Sequence, residues 1–97
     1  MMFAKTKQVR LKGQALNKLV AQVYERDQHK CAVCGRWVED GHKPHHEPPG
    51  YGRKSDELGK MVLLCDDCHY ERHHGKSADT VKDKIERYLA WMGEELP

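Results

Sequence analysis

LCDDCHYERHHG, Leu64 to Gly75, packs two cysteines and three histidines into twelve residues. Asp66 is a capping residue and Gly75 a stop, so DDCHYERHH predicts a short helix fed by the apolar strand KMVLLC. On that helix His69 and His73 stand at i and i+4 and share a face, a common two-ligand spacing for a transition metal. Taken alone, the pair fits a solvated helix face equally well. Cys65 and Cys68 form a CxxC, and a second lies upstream at Cys31 and Cys34, followed by Gly35. A two-residue gap lets two thiolates converge on one ion in a tight turn, and two such turns complete a tetrahedron. The duplicated pair in a short chain favours one structural Zn2+ over disulfides or a redox dithiol. Four sulfurs close such a site, so it holds the fold and leaves no position for chemistry.

Working outward, KPHHEPPG, Lys43 to Gly50, places two adjacent histidines among three prolines. Prolines fix φ and constrain the residue before them, which predicts an extended segment with His45 and His46 pointing to opposite sides. KMVLLC is its natural antiparallel partner. Closing the cysteine site brings the two knuckles together and lays this hairpin beside the helix of His69. One of the two imidazoles can then complete a three-histidine metal site, while its neighbour stays free to take a proton.

The 97 residues suit one domain, and so small a core calls for a staple. GQALNKLVAQVYERDQ predicts an amphipathic helix with Leu16, Leu19, Val20 and Val23 on its apolar face. RWV, Arg36 to Val38, predicts a short strand. Ser77 is a cap for a closing helix over 77–93, whose stripe of Val81, Ile85, Tyr88, Leu89 and Met92 is expected to pack on the first helix. In so aromatic-poor a chain, Trp37 and Trp91 are expected in the core. MVLL is the longest apolar run, too short for a signal peptide or a membrane span, so a cytoplasmic protein without a membrane partner is expected.

Formal net charge is only +2, but the first 24 residues hold Lys5, Lys7, Arg10, Lys12 and Lys18 and no acid. A basic arm over 1–13, ahead of a single domain over 14–97, suggests contact with a polyanion or else a solubilising tail.

Together ERDQHKCAVCG, PHHEPP, KSDELGKMVLLC and LCDDCHYERH resemble the HNH endonucleases that carry a four-cysteine zinc-ribbon-like staple. The motifs span Glu25 to His73. The resemblance implies a small α+β fold: a ββα-metal (His-Me finger) core over 25–75, stapled by the zinc site and flanked by an N-terminal and a C-terminal helix. It also implies metal-dependent hydrolysis of DNA, with His46 as general base and one divalent ion on His45, His69 and His73. Many relatives carry Asp where His45 stands, and an all-imidazole set favours Mn2+, Ni2+ or Zn2+ over Mg2+.

Two departures stand out. Lys60 occupies the position of the family's Asn, which fixes the loop holding the base histidine, and Arg53 and Lys54 replace a Gly-Gly. With Arg72 and the basic arm, Arg53 and Lys54 are expected to contact phosphates without reading bases. Double-strand cleavage by one such site requires a dimer or two successive events. The rival to the enzyme is a catalytically inactive zinc-stapled nucleic-acid-binding module, which needs the cysteines but not the four histidines.

Overall fold

Arg26 and Asp27 tie distant parts of the chain together in the computed structural model, which describes residues 8–50 and 52–95. They end α1 (Gly13–Asp27). The Arg26 guanidinium donates to the carbonyls of Leu58 and Met61. Asp27 pairs with Arg26 at 2.7 Å and accepts the Leu63 N–H at 2.9 Å and the Tyr88 hydroxyl. Burial, and the bond to the Asp27 carboxylate, push the Tyr88 hydroxyl up to about 12, so it remains a donor. One buried ion pair thus satisfies backbone groups that would be costly to leave unpaired.

The segments so joined are a 3-10 turn (Leu58–Lys60), β2 (Met61–Val62) and α3 (Ala78–Glu95). β1 (His45–His46) pairs antiparallel with β2, His45 opposite Val62 and His46 opposite Met61. α2 (Asp66–His74) follows directly after the second strand. The result is a small α+β fold of three helices and a two-stranded sheet among the described residues. Its core is the continuous run Met61 to Leu64, clasped by Leu19 and Val23 of α1 and by Val81 and Ile85 of α3. Each such side chain contributes about 1.5–3 kcal/mol on full burial. There are few of them, which leaves room for a further staple.

Several local expectations are corrected. Leu19 and Val23 are buried, whereas Leu16 and Val20 are only partly so and line a cleft, Val20 also packing against the core. Arg36 to Val38 forms no strand; a single bridge joins Lys30 and Trp37. Trp37 and Trp91 lie outside the core, at 65% and 55% exposure. Aliphatic side chains fill the interior, and Trp37 stacks on His29 with ring centroids 4.7 Å apart. At α2 the cap position is Cys65, with no side-chain cap bond; Asp66 and Asp67 lie in the first turn, where the helix dipole favours them. α3 buries Val81 and Ile85 but packs mainly on α2 and the 3-10 turn, reaching α1 through Tyr88. Among the described residues, no helix is long and apolar enough to cross a membrane.

Two candidate metal centres beside a cationic cleft

The first centre grows from two turns. Gly35, at φ +80°, lets the first knuckle close with its N–H on the Cys31 carbonyl at 2.9 Å, a conformation that favours glycine. The Ala32 N–H then donates to the Leu63 carbonyl at 2.9 Å, joining that knuckle to the strand that leads into Cys65. All four sulfurs lie within 4.8 Å of one another. Cys34 and Cys65 Sγ are 3.6 Å apart, far beyond a disulfide bond. A tetrahedral zinc with sulfurs at about 2.3 Å spaces those sulfurs by about 3.8 Å, so the fit is close. Burial, joined by neighbouring thiols, pushes Cys65 and Cys68 upward. A cation reverses that preference by stabilising the thiolates. Cys31, Cys34, Cys65 and Cys68 are therefore placed to hold a metal ion such as zinc.

The second centre is assembled across the fold. The β1–β2 register turns His45 toward α2, where its ring centroid is 5.4 Å from that of His69 and 5.3 Å from that of His73. One ligand nitrogen from each of the three lies within 4.8 Å of the others. His45 is buried, while His69 and His73 are exposed, so the group opens to solvent along α2.

Behind His45 stands a buried carboxylate. Glu47 Oε1 is 3.1 Å from His45 Nε2, and the Arg72 guanidinium grips Glu47 through two bonds of 2.9 and 2.8 Å. Burial raises the Glu47 carboxyl, but Arg72 and His45 outweigh it and hold it below its ordinary value. An ionised carboxylate only accepts, so His45 donates from Nε2 and keeps the lone pair on Nδ1. Burial, despite Glu47, drives His45 down to about 4, which keeps it in the neutral form that can ligate. Burial and the neighbouring His69 lower His73 as well.

His46 faces a different carboxylate. Its Nε2 lies 2.8 Å from Asp56 Oδ1. Lys60, at the position of the resembled family's Asn, points its ammonium at Glu57, 3.7 Å away, and offers its backbone carbonyl to the Glu47 N–H at 3.0 Å. A cleft of about 580 Å³ brings His45, His46, His69 and His73 into one lining. Arg10, Lys43 and Lys54 give it positive charge, and Leu16 and Val20 form an apolar wall.

The remaining cations expected at nucleic acid divide. Lys5 and Lys7, like Tyr51, lie outside the described residues. Lys12, Lys18 and Arg53 are exposed but do not line the cleft. Arg72, expected at phosphate, is committed to Glu47 with its side chain at 13% exposure. Sequence alone passed over Lys43, Glu47 and Asp56 as site residues. Their signal was proximity to the histidine pair and to the SDE segment, but the partners only become visible once the chain is folded. The chain matches no protein-family model and no curated protein.

Proposed function

We propose that the chain is a metal-dependent endonuclease of the HNH type that hydrolyses DNA phosphodiester bonds. His46 is the general base, and His45, His69 and His73 hold one divalent ion. The observation that carries this is the division of labour at the histidine pair: His45 joins two helix imidazoles, while its neighbour His46 is bonded to a separate carboxylate, and all four line one cleft. The β1–β2 hairpin followed by α2 supports a ββα-metal core.

Imidazole can take a proton from water near neutral pH, and His46 is free of the three-histidine group that would otherwise occupy its lone pair. Lys43 and Lys54 would hold the phosphate backbone, giving an affinity that falls steeply with salt, while Arg10 at the same cleft faces Asp56 at 3.5 Å. His45, His69 and His73 would hold a divalent ion, which would supply Lewis acidity toward the phosphate. The exposed sides of His69 and His73 leave room for substrate, as an open ligand set requires. All-nitrogen ligation favours Mn2+, Ni2+ or Zn2+ over Mg2+.

Supercoiled-plasmid cleavage with each ion tests this, using wild type and His46→Ala that each retain one tightly bound zinc. The wild type is expected to cut, and the variant to cut about 10²–10⁴-fold more slowly. If neither cuts with any ion, the hydrolytic function is wrong. If both then still shift DNA on a gel, the zinc-stapled binding module takes its place.

A further inference from the structure

Asp56 is 4% exposed, and its two carboxylate oxygens serve different partners. Oδ1 lies 2.8 Å from His46 Nε2, with the Arg10 guanidinium 3.5 Å away. Oδ2 accepts the Leu11 backbone N–H at 2.8 Å. The Asp56 N–H donates to the Val9 carbonyl at 2.7 Å, and Ser55 Oγ accepts the Val9 N–H at 2.9 Å. Residues 9–11 therefore clamp Ser55 and Asp56 largely through backbone bonds, which fix position better than long side chains do. Burial raises the Asp56 carboxyl, but the Leu11 N–H, His46 and Arg10 outweigh it and hold it below its ordinary value. A carboxylate in that form has no proton to give, so His46 must donate from Nε2 and keep its lone pair on Nδ1. Lys60 cannot do this, because an ammonium has no acceptor.

We propose that Asp56 is the positioning residue of His46, fixing its ring and its Nε2–H tautomer, and that residues 9–11 belong to this device. Residues 9–11 of the basic N-terminal stretch are then part of the active site as well as a source of charge. The catalytic consequence rests on the hydrolytic function proposed above; the tautomer does not.

The test is imidazole ¹⁵N NMR on the full chain with zinc at the cysteines, alongside plasmid-cleavage kinetics. In the neutral wild type, His46 is expected to be protonated at Nε2. Asp56→Asn keeps an acceptor oxygen and should preserve that tautomer, while Asp56→Ala should give a mixture. In kinetics, Asp56→Ala should lower kcat about 10- to 100-fold with KM and Ni2+ affinity nearly unchanged, and Asp56→Asn should recover most of it. An Nδ1–H tautomer in wild type overturns the proposal without any variant. So does a tautomer that ignores Asp56→Ala, or an Asp56→Ala enzyme with wild-type kcat. A clean Nε2–H signal in a chain that cuts no DNA would keep Asp56 as the group that orients His46 and remove the hydrolysis.

Discussion

The two clusters differ in how they are built. Each half of the cysteine centre is local, a CxxC turn whose ligands are three positions apart, and only the meeting of the turns needs the fold. The histidine centre has two candidate ligands close together on α2, but its third, His45, arrives from a strand some twenty residues before that helix. The cysteine set offers four sulfurs, enough to close a site; the histidine set offers three candidate ligands, two of them exposed. A closed set contributes stability and little else, whereas an open one leaves positions for substrate at the expense of pre-organisation. That missing rigidity is supplied from behind by the Arg72–Glu47 pair, which sits against the one buried histidine.

The sharpest way to break this contrast is to remove ligands. Cys31→Ser, or strong chelation of the wild type, should abolish the cooperative thermal unfolding seen by circular dichroism. A structural zinc is worth an apparent ~10–16 kcal/mol, comparable to the whole stability of a domain. His73→Ala, at an exposed ligand, should leave that transition almost unmoved. Cooperative unfolding of Cys31→Ser at the wild-type temperature would erase the distinction.

Next in size is the support behind His45. Glu47→Gln weakens an acceptor that both His45 and Arg72 use, and should reduce Ni2+ affinity at the histidines about 10–100-fold by calorimetry. The zinc content should not change. Equal affinities would mean that the buried carboxylate does not help present His45.

A pH dependence follows from the same burial. Folded, His45 stays neutral down to about 4, whereas in an unfolded chain a histidine takes its proton near 6.5. Below 6.5 the unfolded state therefore binds a proton that the folded state refuses, and stability falls as pH falls toward 4. Between pH 7 and pH 5 the loss is about 2 kcal/mol. Urea denaturation without added divalent ion should show the wild type losing that much more than His45→Gln. Parallel pH profiles would contradict it.

The smallest effect is expected at Lys60. Among the described residues its ammonium pairs with Glu57, 3.7 Å away and partly solvated, so Lys60→Ala should change stability by less than about 1 kcal/mol. In the hydrolysis proposed above, the rate should stay within about twofold. A large fall in cleavage with DNA affinity reduced in parallel would instead place the lysine at phosphate.

Much of this was legible because it depends on spacing. The CxxC pairs, the i, i+4 histidines and the proline-constrained pair fix ligand geometry over a few residues, and they predict clusters that the fold brings together. Packing partners were less legible. Trp37 and Trp91 are apolar enough for a core, yet shape and space decide, and the smaller Ile85, Val62 and Val23 fill it. Charge was the poorest guide. Arg72 and Arg10 look like free cations in the sequence, but each faces a buried carboxylate that no local pattern marks as its partner.

The central claim, that His45, His69 and His73 form a metal site separate from the cysteines, is tested most directly by calorimetric titration of the zinc-loaded chain with Ni2+. One equivalent should bind in the wild type, with affinity falling at least about 10-fold in both His69→Ala and His73→Ala while the zinc stays in place. No binding in the wild type, or the same affinity in both variants, would contradict it.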